Sequence, residues 1–267
     1  IKELREGQFD YIIDLHNNIR TFRFKNSLKV MDFTFKKLNW EKWLYVNLKI
    51  NRLPTKSIVD RYYETVSVFD VKNDNLGLDF FYGEENDISL NDLSINNNYI
   101  AFGIGGNHVT KKLPAQKIID ICKSIDHCIV LLGGKEEEEI GNIISKNCNH
   151  VINLCGQINL NQSAFIVSKS SLVISHDTGI MHIAAAYKKD ILSVWGNTVP
   201  EFGMYPYLAG ISSKIFEIKG LKCRPCSKIG FRKCPKKHFN CMEQQNSKEI
   251  SNYANYLIKK TNNHPEL

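Results

Sequence analysis

No apolar run in this 267-residue sequence approaches the roughly 18–20 residues that a membrane-crossing helix needs. The opening stretch IKELREGQFD lacks a secretory apolar region, so a cytoplasmic location is the default expectation. No Gly-x-x-x-x-Gly-Lys-Ser/Thr phosphate loop and no Gly-x-Gly-x-x-Gly fingerprint occurs, which weighs against nucleoside-triphosphate hydrolysis and hydride transfer. Charge of one sign is also scarce: 35 Lys and Arg against 28 Asp and Glu give +7, a thin surplus for a nucleic-acid-binding protein. No internal repeat is visible, and the EEEE at 136–139 is too short for an acidic tail.

What is present is a globular composition, 43% hydrophobic, ample for a core. From Tyr99 onward the apolar runs YIAFGIG, CIVLLGG, HVINLCG, LVISHD, ILSVWG and KIFEIKG read as strands. Helical patterns fill 114–124, 135–146, 161–169 and 179–187, with Pro114 at a first helical position, Asn161 as an N-cap and Gly179 in a strand-to-helix turn. This alternation predicts a parallel sheet covered by helices. Earlier, YIIDLH and LKVMDFT read as strands, and 35–47 and 55–69 have helical periodicity. The Asn-, Asp- and Gly-rich stretch 70–98 separates the parts, giving domains at 1–90 and 91–267, the second ending in a cysteine-bearing tail and a C-terminal helix. Ile1 in place of Met, and a start that reads as a helix tail, suggest a first domain truncated at its N-terminus.

The polar residues cluster where strands hand over to helices, the ends at which open α/β sheets bind ligands. In SHDTGIMH, Thr178 and the N–H groups near Gly179 are placed to hold a phosphate oxygen at a helix start, with His182 one turn further on. In GGNHVTKKLP, Lys111 is a natural counter-charge for a diphosphate. The bland alternatives are a capped helix beside a buried histidine, and lysines on a solvated loop.

Taken together these residues resemble glycosyltransferase family 9, whose familiar members are ADP-heptose:lipopolysaccharide heptosyltransferases. YIIDLHNNIRT resembles a first-domain segment in which Asp-Leu-His leads to an Arg, VDRYYE its usual helix, TKKLP its Lys-x-x-Pro, and HDTGIMHIAAA its Asp-Thr-Gly-x-x-His-x-Ala-Ala segment. The resemblance implies an α/β fold of GT-B type, two Rossmann-like domains with parallel sheets facing across a cleft. It implies an inverting transfer of a sugar, heptose, from ADP-heptose to a lipopolysaccharide core or related glycolipid. Carried onto this sequence, Lys111, Asp177, Thr178, Gly179 and His182 bind the donor, and Glu137 meets its ribose side, with Glu136 and Glu138 close rivals. Asp14, His16 and Arg20 line the acceptor side. The family's catalytic base lies in a Gly-Asp loop absent from this sequence, so no base is assigned. No cofactor is required for such chemistry. The glycolipid acceptor implies a peripheral contact with the inner face of the inner membrane.

CRPCSKIGFRKCPKKHFNCM resembles a tail seen in many members, and its Cys223, Cys226, Cys234 and Cys241 are spaced C-x2-C-x7-C-x6-C. Four thiolates can hold tetrahedral zinc, although usual zinc folds space the second pair more tightly. Reduced thiols packing a loop, or disulfides formed on oxidation, are the other readings. The basic flank from Arg224 to His238 is suited to a phosphorylated lipid or an anionic leaflet, or is simply solvated. The rival functions are a GT-B enzyme using a UDP-sugar and a nucleic-acid-binding cysteine-cluster protein.

Overall fold

The computed structural model describes residues 1–95 and 98–263. Its contacts divide the chain into two units, 1–76 with 201–204, and 77–200 with 205–267.

In the first unit, α1 (Lys2–Glu6) precedes β1 (Tyr11–Asp14), α2 (Ile19–Leu28), β2 (Met31–Thr34), α3 (Asn39–Leu48) and α4 (Ile58–Thr65). β1 and β2 pair in parallel, Tyr11 opposite Met31 and Asp14 opposite Thr34. Sequence periodicity misses α2, whose residues IRTFRFKNSL bury none of their side chains. Its local signal is the capping box: Asn18 accepts from the Thr21 N–H at 2.9 Å and Thr21 Oγ1 accepts from the Asn18 N–H at 2.9 Å. The segment 201–204 belongs here because the Gly203 carbonyl accepts the Ile58 N–H at 2.8 Å, at the start of α4.

The second unit runs β3 (Tyr99–Gly103), α5 (Ala115–Lys123), β4 (Cys128–Leu132), α6 (Glu138–Asn147), β5 (Val151–Asn153), α7 (Leu160–Lys169), β6 (Leu172–His176), α8 (Gly179–Ala186), β7 (Ile191–Trp195), β8 (Lys214–Glu217), α9 (Asn240–Glu243) and α10 (Ser247–Asn263). All six predicted strands form, in one parallel sheet of order β5-β4-β3-β6-β7-β8. Alternate residues Ile100, Phe102, Ile129, Leu131, Leu172, Ile174, Leu192 and Val194 join the core beneath α5, α6 and α10. The intervening residues face the other way, where the Tyr99 hydroxyl donates to the Ile166 carbonyl of α7 at 2.6 Å.

Two expectations shift. The N-cap of α7 is Asn159, not Asn161: Asn159 accepts from the Gln162 N–H at 2.8 Å and Gln162 returns the bond, and this reciprocal pairing sets the helix start. The boundary drawn at 90 moves to 76, because Phe80 and Tyr82 pack edge-on against Tyr187 and Phe165 of the second unit. The stretch 70–98 also contains two positions, 96 and 97, outside the described residues.

Candidate functional site

The second sheet starts at β3, steps outward through β4 and β5, returns to β6 beside β3, and continues outward through β7 and β8. The reversal falls between β3 and β6, and the crevice beyond the carboxyl ends of such a strand pair is the usual ligand position. GIGG follows β3 and HDTG follows β6. The loops meet at close quarters: a Cβ on Gly106 would lie 3.0 Å from Thr178 Cγ2, and one on Gly105 would lie 3.1 Å from Glu137 Oε2. Glycine allows that approach without displacing either neighbour.

Asp177 and Lys111 form the polar centre. Lys111 Nζ lies 2.7 Å from Asp177 Oδ2 and donates to the Asp177 carbonyl at 3.2 Å. Thr198 Oγ1, from the loop after β7, donates to Asp177 Oδ2 at 2.7 Å. Thr198 lies in WGNTVPEFG, a polar cluster after a strand that the sequence marks without singling out this residue; its partnership with Asp177 emerges once β6 and β7 lie side by side. Beyond Asp177 the chain passes through Thr178 into α8, whose N-terminus has no side-chain cap. Gly179 has nothing within 4 Å of a built Cβ, so the helix start is open. The unpaired N–H groups of that first turn are available to an anion.

His182 is partly buried one turn into α8. Desolvation lowers its pKa below the ordinary histidine value, the Lys111 charge adds to the lowering, and Asp177 opposes it. It is a neutral imidazole at physiological pH. Glu137, alone of the three rival glutamates, is buried. Lys112 Nζ holds its Oε1 at 2.8 Å and the Gly134 N–H donates to its Oε2 at 3.0 Å. The carboxylate therefore braces the loop after β4, with lone pairs left over for a ligand hydroxyl.

Lys111, Lys112 and Leu113 are each tied down separately. The Leu113 N–H donates to His176 Nε2 at 3.0 Å. His176 is fully buried, and desolvation, reinforced by the Lys112 charge, drives its pKa to about 3. The neutral ring stabilises the fold fully above the unfolded-state value near 6.5, and that contribution drains away as pH falls from there towards 3. The slope is about 1.4 kcal/mol per pH unit for one group, so about 2 kcal/mol should be lost between pH 6.5 and 5. Urea unfolding midpoints across that range measure it, and His176→Gln should flatten the dependence.

In the first unit, Asp14 turns inward and is buried. Burial acts to raise its pKa, but the N–H of Asn17, the Thr21 hydroxyl, Lys25 and the N–H of His16 together hold it below the usual carboxylate value. The ion pair with Lys25 is 3.1 Å long, and the bonds from Asn17 and His16 measure 2.6 and 3.0 Å. His16 and Arg20 are exposed. A cavity of about 260 Å³ in this unit is lined by Thr34, Lys36, Lys56, Arg61, Glu64 and Thr65 rather than by these three residues.

In the cysteine tail, as elsewhere among the described residues, no two cysteines are joined in a disulfide. Among the described residues no group of three or more His, Cys, Asp or Glu side chains is arranged to hold a metal ion. Cys241 lies on α9 in the hydrophobic core, where burial, aided by neighbouring thiols, pushes its pKa up to about 12. Arg224, counted with the solvated basic flank by sequence, points inward. It lies 2.7 Å from Glu217 Oε2 and donates to the carbonyls of Gly196 at 2.6 Å and Thr198 at 2.7 Å. No helix among the described residues is long and apolar enough to cross a membrane.

The fold has solved counterparts. The E. coli ADP-heptose LPS heptosyltransferase II superposes with a TM-score of 0.69 at 18% identity, covering 97% of this chain and 80% of that one. A glycosyl transferase family 9 structure from Veillonella parvula gives 0.72 at 18% identity, covering 97% and 76%. Among curated sequences, lipooligosaccharide heptosyltransferase 2 of Campylobacter jejuni is 29% identical over 141 residues, 51% of this chain and 42% of the relative. The chain thus aligns with less than half the length of that relative. The profile of glycosyltransferase family 9 (heptosyltransferase) matches residues 1–233, and the chain belongs to that family.

Proposed function

We propose that this chain takes part in inverting sugar transfer, moving heptose from ADP-heptose to a lipopolysaccharide core or related glycolipid acceptor. The observation that carries the reading is the open, uncapped start of α8 next to the Lys111–Asp177 pair. Breaking a sugar–diphosphate bond builds negative charge on the leaving group. A lysine and helix N–H groups fixed in advance stabilise that charge, and no cofactor is called for. Thr178 contributes its hydroxyl, Gly179 the close backbone approach, His182 a neutral imidazole towards the sugar side, and Glu137 an acceptor for the ribose. Inversion needs a base on the acceptor hydroxyl. Asp14 is a poor one, since a carboxylate held low has little tendency to take a proton. The cavity lined by Lys36, Lys56 and Arg61 supports an acceptor bearing an anionic group. The heptosyltransferase relatives support the heptose and the ADP donor: a structure of an E. coli heptosyltransferase with ADP shares this fold at a TM-score of 0.60.

The test is ligand stabilisation. ADP-heptose or ADP at 100 times its dissociation constant should add about 2.7 kcal/mol to the unfolding free energy. Stabilisation by UDP and UDP-sugars alone would move the chain to another donor class. No response to any nucleotide, with salt-dependent oligonucleotide binding in its place, would end the reading.

A further inference from the structure

Helix α3 presents an aromatic face to solvent. Trp40 and Trp43 are 64% and 47% exposed, and their rings stack with centroids 5.2 Å apart and planes 6° from parallel. They sit three positions apart, on one side of the helix, while Leu44 faces the interior. Leu48 and Ile50 continue the apolar surface past the helix end. The same stretch is rich in cations: Lys36, Lys37, Lys42, Lys49, Arg52 and Lys56 fall between 35 and 57, against Glu41 as the only acid. Lys56 is paired with Glu64 and Lys49 donates to the Val46 carbonyl, and the stretch as a whole carries a positive excess.

Two kinds of surface can claim exposed tryptophans. A protein-protein core favours aromatic residues but is depleted in lysine. Indoles ringed by lysine and arginine match the chemistry of a bilayer interface, where the ring seats at headgroup level and the cations meet lipid phosphates. We propose that α3 docks this chain on an anionic lipid bilayer, with Trp40 and Trp43 inserted at the headgroups and Lys36 and Lys37 on the lipid phosphates. This places membrane contact on α3 rather than on the basic flank of the cysteine tail, and it does not depend on the donor chemistry.

The experiment is flotation of the full chain with phosphatidylcholine vesicles, with and without roughly one-third phosphatidylglycerol, together with tryptophan fluorescence. The third tryptophan, Trp195, is fully buried, so a blue shift on adding vesicles reports Trp40 and Trp43. Binding should require phosphatidylglycerol, weaken with salt, and fall at least tenfold in Trp40→Ala/Trp43→Ala. Lys36→Glu/Lys37→Glu should weaken it independently and serves if the tryptophan variant loses its fold. The proposal is overturned if the chain ignores anionic vesicles or if both variants float as well as the parent. It is overturned equally if binding vanishes only in Lys236→Glu/Lys237→Glu. Lipid-free self-association removed by the tryptophan changes would assign the face to a second copy of the chain.

Discussion

Under the proposed sugar transfer, a Lys111→Met protein is expected to react about 100- to 1000-fold more slowly than the parent, equivalent to about 2.7–4 kcal/mol of lost transition-state stabilisation. The ammonium sits 2.7 Å from Asp177 Oδ2, beside the open helix start, where a departing diphosphate would gather charge. Methionine keeps the length of the stem and removes the charge. The fold should survive, because Asp177 retains the Thr198 hydroxyl at 2.7 Å, although leaving that carboxylate without its cation costs about 1–3 kcal/mol. Steady-state kinetics separate the two effects: a fall mainly in kcat at saturating donor marks charge stabilisation during bond breaking. A rise in KM alone would make Lys111 a ground-state anchor. Unchanged kinetics would remove it from the site.

The largest stability effect should come from a residue outside the donor-binding cluster. Arg224→Ala is expected to cost about 3–5 kcal/mol, because the side chain is only 6% exposed and its removal strands Glu217 and two carbonyls. Those carbonyls belong to Gly196 and Thr198, so the same change frees the loop that supplies the Asp177 partner. Denaturant unfolding measures the first consequence, and weakened nucleotide stabilisation measures the second. Lys should rescue poorly, since one ammonium cannot replace a planar fork that reaches Gly196, Thr198 and Glu217 together. A loss below about 0.5 kcal/mol would mean that the three contacts contribute nothing in solution.

Much of the second unit was legible from the sequence because its central strands are buried on both faces. YIAFG, CIVLL and LVISH read as continuous apolar runs, and the sheet uses each of them as predicted. The first unit was harder. α2 has no buried face, so its only mark is the Asn18–Thr21 box, a signal of two residues. At the site, Lys111, Asp177 and Gly179 were readable because a charge, a carboxylate and a flexible turn recur at strand ends. Thr198, His176 and the inward turn of Arg224 were not. Their roles arise from β6 lying between β3 and β7 and from a loop returning over β7, contacts 21, 63 and 28 positions apart along the chain. Asp14 has a second partner the sequence did not show: Lys25, in the following helix, folds back to pair with it.

The four residues 201–204 give the chain an unusual wiring. The polypeptide leaves the first unit at residue 76, builds most of the second, returns for one short strap at Gly203, and departs again. No contiguous stretch of the sequence therefore reproduces the first unit whole. A genetic cut at the obvious junction would deprive the Ile58 amide of its acceptor and leave the start of α4 unfastened.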